Sequence, residues 1–190
     1  MAQQIVAVRI RPLVESSEIK VGAQDYWDSS STAIFRKDVS DSLPFVFDHV
    51  IGKEEINRDV YNVFGKDIVT GAVKGINGTI FAYGQTSSGK THTMLGSDTE
   101  PGLISYAMND IFSLVQLATE RCFLISLSYN EIYNEEVHDL LTGATNLKIR
   151  ENEMGEIRVL ECGQELVDKP EDVLRLMTEG DKRRHIGALI

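Results

Sequence analysis

The segment Gly84, Gln85, Thr86, Ser87, Ser88, Gly89, Lys90, Thr91 constrains this chain more than any other stretch. It reads glycine, four residues, glycine, lysine, then threonine, which is the spacing of a phosphate-binding loop. Glycines let the main chain close around a phosphate group, and successive N–H groups converge on its oxygens. A following helix points its positive end at the same place. By that chemistry Lys90 reaches the β and γ phosphates of a nucleoside triphosphate, and the Thr91 hydroxyl takes a Mg²⁺ coordination position. The apolar run 79–83 just before the loop has the character of a short strand covered on both faces, and a helix is expected from Lys90.

Around this segment, strand and helix patterns alternate. The opening IVAVRIRP alternates apolar residues with others and stops at Pro12, a strand closed by a proline turn. Residues 14–42 are polar and turn-rich around Tyr26 and Trp27, predicting a small strand lobe, and 44–51 reads as a further strand; Asp48, at the end of its apolar run 45–47, suits a turn better than a magnesium-holding acid. From Asn57, a candidate N-cap, Val60, Phe64, Ile68 and Ala72 recur at helical spacing. Gly65 and Gly71 weaken that helix by about 1 kcal/mol each. A loop at 96–102 separates the Lys90 helix from a second one through Ile104, Met108, Ile111 and Val115. A long strand is expected over 122–133, a hairpin around 152–155, and a last helix from Pro170 through Met177. This order predicts an α/β fold, a three-layer sandwich around a mixed, mainly parallel sheet.

The length of 190 residues suits one domain. The net charge of −10 argues against a chain drawn as a whole to nucleic acid or anionic lipid, and residues 96–190 hold 18 of the 29 acidic side chains. No apolar run is long enough for a membrane span, and the N-terminus enters Ile5, Val6 and Val8 without a signal-peptide pattern. Cys122 and Cys162 sit in strand-like apolar surroundings expected to bury their thiols, which suits a reducing, cytosolic compartment. His49, His138 and His185 have no metal-ligand spacing with either cysteine, so Mg²⁺ is expected to arrive with the nucleotide.

FAYGQTSSGKTHTM, the R-x-R-P element Arg9, Arg11, Pro12, and SYNEIYNEEVHDLL at 128–141 together resemble the N-terminal part of a kinesin motor domain, and the likeness runs through essentially the whole chain. The start and GTIFAYGQTSSGKT resemble the centromere-associated type of kinesin. The resemblance implies an ATPase with ATP or ADP and Mg²⁺ as ligands, with catalytic roles for Lys90 and Thr91 and a phosphate cradle running from Gly84 to Thr91. It also implies that Arg9, Arg11, Pro12 and His92 flank the adenine; guanidinium and imidazole planes and a proline ring all stack on a purine. Without the resemblance these would be outward strand residues and a helix-surface histidine. Lys148, Arg150 and Arg158 resemble the hairpin with which kinesins touch acidic tubulin, against an equal reading as a solvated hairpin face. Glu131 and Glu135 read as a structural strand end, and Lys182, Arg183 and Arg184 as complements to a helix dipole. Implied partners are microtubules, with no nucleic acid or membrane; implied placement is cytoplasmic and cytoskeletal, at the spindle or kinetochore.

Two switch elements of the family, N-x-x-S-S-R-S-H and D-x-x-G-x-E, do not occur in these residues, and no apolar strand ending in Asp follows Thr91. The chain therefore reads as an incomplete kinesin motor fold over 1–190, the nucleotide-binding half without the main tubulin-binding helix. The alternative is a truncated nucleotide-binding or interaction protein without turnover. A guanine-nucleotide switch fits poorly, because no N-K-x-D element is present. In the family the later strands lie mid-sheet, so this chain alone is expected to be marginally stable or aggregation-prone and to hydrolyse ATP poorly.

Overall fold

The computed structural model describes residues 4–14, 18–39 and 41–185 and divides into two compact units, Met1–Ile111 and Phe112–Ile190. In the first unit β1 (Ala7–Arg9) precedes a 3₁₀ turn (Ile19–Val21), and then come β2 (Trp27–Ser29), β3 (Ala33–Arg36), β4 (Phe45–Val46) and β5 (His49–Ile51). β1 and β5 pair in parallel, Val8 opposite Val50, while β2, β3 and β4 form an antiparallel sheet with Trp27 opposite Arg36 and Ile34 opposite Phe45. The expected strand over 44–51 thus splits in two. At the break Asp48 accepts the Val6 N–H at 2.8 Å, in keeping with the turn read there.

The next helix runs through α1 (Asn57–Val60), a π-helical turn (Tyr61–Gly65) and α2 (Lys66–Val73). Its N-cap is Ile56 rather than Asn57: the Asp59 carboxylate accepts the Ile56 N–H at 3.0 Å, leaving the Asn57 side chain free to turn inward, where it is fully buried. The buried face is Val60, Tyr61, Gly65 and Val69, while Ala72 is exposed. Gly65 has a packing reason to be glycine, since a Cβ there would stand 2.6 Å from the Tyr61 ring. That ring stacks on Tyr106 at 5.6 Å, and its hydroxyl donates to Asp110 at 2.8 Å. Burial, helped by this bond and the Asp110 charge, pushes the Tyr61 phenol well above its ordinary range. α3 (Lys90–Met94) starts where the spacing predicts, and α4 (Leu103–Leu117) follows the 96–102 loop.

Run 79–83 does not form the covered strand expected of it. Phe81 is 77% and Tyr83 95% exposed, and among the described residues no strand pairs with the run. An extended segment becomes a strand only when a neighbour takes up its N–H and C=O groups.

In the second unit the long strand expected over 122–133 is reduced to β6 (Ser126–Leu127) and β7 (Asn130–Tyr133), with Leu124 83% exposed. Cys122 is exposed and Cys162 half-buried, so neither is the buried thiol expected from its apolar neighbours. β7 turns through Asn134 and Glu135, with φ of 50° and 64°, into β8 (Glu136–Asp139), a tight two-residue hairpin at the strand end read from sequence. β9 (Ile149–Glu151) and β10 (Ile157–Val159) form the expected hairpin, β11 (Glu165–Leu166) pairs with β6, and α5 (Pro170–Asp181) closes the unit. The described strands make five small sheets with one parallel pairing, a mixed α/β content. No helix among the described residues is long and apolar enough to cross a membrane.

The second unit buries Val137, Leu140, Val167, Val173 and Met177, and with them the side chain of Asp139. Asp139 accepts the Thr142 hydroxyl and the Gly163 N–H, each at 2.7 Å, and the Leu141 N–H at 2.8 Å. Burial raises its pKa, but these hydrogen bonds outweigh burial and hold it below the ordinary carboxylate value. Asp139 therefore contributes stability that is present above the unfolded pKa, about 3.9, and lost as pH falls through the lower folded value. Asp139→Ala leaves these donors, and the Thr142 N–H at 3.3 Å, without their acceptor and is expected to cost about 3 kcal/mol in urea denaturation at pH 7, a deficit that narrows below about pH 4.

Candidate nucleotide-binding site

In the phosphate-binding loop the two glycines are required by different constraints. A Cβ at Gly84 would lie 2.5 Å from the Ser88 hydroxyl, and Gly89, the N-cap of α3, has φ of 99°, a left-handed conformation that suits glycine. The loop fits a phosphate by these features: a main chain with no side-chain carbon in the way, first-turn amides without helical acceptors, and an adjacent lysine. The Lys90 ammonium bonds the loop's own carbonyls, Gly84 at 2.7 Å and Gln85 at 2.8 Å.

A cavity of about 620 Å³ opens beside the loop. Arg9, Arg11, Pro12, Ser88, Gly89, Lys90 and His92, all read from sequence, line it together. Gly84, Gln85, Thr86, Ser87 and Thr91 belong to the loop and α3 but do not line this cavity, and all of these except Gly84 are exposed. Arg11 passes across Gly89, its Cδ 3.6 Å from where a Cβ would be, and pairs with Glu18. The hydrogen bond from Arg11 lowers the Glu18 pKa, and a 2.8 Å bond from the Val14 N–H adds to this.

Sequence reasoning missed what stands behind this wall. The Arg9 guanidinium donates to the Asn57 side-chain oxygen, to the Thr93 hydroxyl at 2.8 Å and to the Glu55 carbonyl at 3.4 Å. Burial lowers the Arg9 pKa, and the Glu100 charge opposes that shift. The His92 ring lies 3.3 Å from the Glu100 carboxylate. Asn57 resembled a helix cap in sequence, and nothing in its spacing to Arg9 or Glu100 marks a shared network.

In the second unit, hairpin register sets Arg150 directly opposite Arg158, and β-alternation puts Lys148 on the same face. All three are exposed. Arg158 pairs with Glu156 at 2.8 Å and Lys148 reaches Asn146 at 3.3 Å. Glu131 is held by His185 instead: its carboxylate accepts the His185 N–H at 3.2 Å and contacts the ring, which stacks on Tyr133 at 4.7 Å. Arg183 donates to the Leu140 carbonyl at 2.8 Å and Arg184 lies 3.4 Å from Asp181. No group of three or more His, Cys, Asp or Glu among the described residues is arranged to hold a metal ion.

The family model described as the kinesin motor domain matches residues 9–189. Kinesin-like protein KIN-7L, chloroplastic, of Arabidopsis thaliana is 45% identical over 184 residues, covering 96% of this chain and 19% of that protein. Kinesin-like protein KIN-7G of Oryza sativa subsp. japonica is also 45% identical, over 96% of this chain and 20% of its own length. Kinesin-like protein KIN-7C, mitochondrial, of Arabidopsis thaliana is 43% identical over the same two shares. The chain thus spans about a fifth of the length of these relatives. With the match reaching from the R-x-R-P strand through the phosphate loop to α5, the chain belongs to the kinesin motor domain family, an α/β fold of the P-loop nucleotide-triphosphatase type.

Proposed function

We propose that this chain is the ATP-binding portion of a microtubule motor, a part of the motor domain whose whole couples ATP hydrolysis to microtubule binding and movement. The observation that carries this is the joining of Arg11, Pro12, Gly89, Lys90 and His92 around one cavity in a member of the kinesin family. In this reading the main chain from Gly84 to Gly89 and the Lys90 ammonium hold the nucleotide's phosphates, and the Thr91 hydroxyl offers a ligand to Mg²⁺. Mg²⁺ neutralises developing charge on the phosphates when bound. Arg9, Arg11, Pro12 and His92 line the wall that takes the base, with the guanidinium and imidazole planes as stacking surfaces for it. Association with the cytoskeleton follows from the microtubule assignment; of the three relatives' names, one says chloroplastic, one mitochondrial and one gives no compartment.

The absence of both switch patterns from these 190 residues favours nucleotide binding without efficient turnover for the chain by itself. Steady-state phosphate release with and without microtubules tests this. Binding of MgADP with little turnover, unchanged by microtubules, is expected of this chain, and microtubule-stimulated turnover of a longer polypeptide containing the switches. Stimulated turnover by the 190 residues themselves contradicts the restriction.

For the cationic face of the β9–β10 hairpin, a triple Lys148→Glu, Arg150→Glu, Arg158→Glu variant is expected to weaken co-sedimentation with microtubules several-fold at low salt. The difference should shrink as ionic strength rises, because exposed charges are screened over about 10 Å at 0.1 M. Equal pelleting of variant and parent at low salt leaves this face a solvated surface only.

A further inference from the structure

We propose that Asn57, which does not itself line the cavity, is a positioning residue that sets how firmly the pocket grips the base of its nucleotide. The proposal rests on the nucleotide assignment of that cavity and goes beyond it. Asn57 is 0% exposed, yet every polar group of its side chain is engaged. Its oxygen accepts from the Arg9 guanidinium, and its amide nitrogen donates to the main-chain carbonyls of His92 at 3.0 Å and Pro101 at 3.1 Å. Its own N–H donates to the Glu100 carboxylate, whose other oxygen lies 3.3 Å from the His92 ring.

One buried amide therefore joins four elements: the end of β1, the start of α1, the body of α3 and the 96–102 loop. Three of the groups it holds, Arg9, His92 and Glu100, face the cavity. Arg9 and His92 belong to the wall assigned to the base and Glu100 stands against His92, whereas the phosphate cradle has its own support, with the Lys90 ammonium on Gly84 and Gln85 and the Ser88 N–H on the Gln85 carbonyl. A buried amide with all its hydrogen bonds made fixes a single arrangement of its partners, and removing it leaves those partners desolvated and free to take others. Loss of Asn57 should therefore be felt by the part of the ligand that touches Arg9 and His92, and little by the part held in the loop.

That difference separates positioning from general support. In the full chain, MgADP and magnesium tripolyphosphate, which has no base, are titrated by competition against a fluorescent ADP analogue. Asn57→Ala, and Asn57→Asp, which keeps the acceptor for Arg9 but loses both donors, are each expected to raise the MgADP dissociation constant about tenfold. Tripolyphosphate affinity should stay within about twofold. Thr93→Val, which removes the second Arg9 tether, is mild enough to keep the fold and should show a smaller loss with the same selectivity. Tyr61→Phe breaks the buried bond to Asp110 in the same unit; it should lower the melting temperature without moving either affinity.

Equal losses for both ligands, or no loss for either while the parent binds MgADP normally, overturn the role of Asn57 and leave the nucleotide assignment standing. Failure of the parent to bind MgADP overturns both.

Discussion

Lys90→Ala is expected to weaken MgADP and MgATP binding by about a hundredfold while leaving the melting temperature within a degree or two of the parent. A charge-assisted hydrogen bond contributes about 1.5–3 kcal/mol, and loss of the one to the β phosphate, which both nucleotides carry, is enough for a loss of this size. Stability should change little, because the two contacts this side chain makes are to carbonyls of its own half-exposed loop, Gly84 and Gln85. Lys90→Arg keeps the charge but places a planar fork where a compact point charge is needed, and should recover only part of the affinity. Fluorescent-nucleotide titration reads the affinities and thermal unfolding the stability. A Lys90→Ala protein that binds as tightly as the parent removes the phosphate loop from the nucleotide site.

The second large effect concerns apolar residues that lie on the outside of this chain. Phe81, Tyr83 and Leu124 are 77%, 95% and 83% exposed, in the two segments whose sequences resemble covered strands. A buried Phe or Leu truncated in a core costs about 2–5 kcal/mol, whereas a residue left in water has no such burial to lose. In the 190-residue chain, Phe81→Ser and Leu124→Ser are therefore expected to change the urea midpoint by less than about 0.5 kcal/mol equivalent, and to reduce light scattering on warming. Ile51→Ala, at a residue 2% exposed, should cost about 3 kcal/mol under the same conditions. In a longer polypeptide that supplies pairing strands, the ranking should reverse, with Phe81→Ser becoming costly. A large loss from Phe81→Ser in the short chain contradicts the exposed placement of run 79–83.

Local signals were legible where the physics was local. The start of α3 at Lys90 follows from a glycine N-cap and a loop whose spacing admits few alternatives, and the β9–β10 hairpin follows from two alternating runs around Asn152 and Gly155. α5 opens on Pro170 with Glu171 and Asp172 in its first turn, as helix electrostatics favour. What failed depended on partners distant in sequence. Run 79–83 has strand composition, but composition does not provide a neighbour. Cys122 was expected to be buried for the same reason and is exposed.

Asn57 illustrates the other limit. A polar residue just ahead of an apolar period signals a cap, and the same residue type serves equally well as a buried connector. Only the approach of Arg9, His92 and Pro101, which are 48, 35 and 44 positions away, decides between the two. At the candidate site, the glycines of the loop were legible because its spacing requires them, as the close approach at Gly84 and the left-handed φ of Gly89 bear out. Glu100 and Thr93 were not, because their contribution passes through other side chains.

The most direct measurement is equilibrium binding of MgADP to the folded parent chain, followed by isothermal calorimetry with and without excess Mg²⁺. Saturable one-to-one binding that weakens on chelation of Mg²⁺ and is displaced by MgATP is the predicted result. No saturable heat up to millimolar MgADP, on protein whose circular dichroism shows its helices formed, contradicts the assignment of this loop and cavity to a nucleotide.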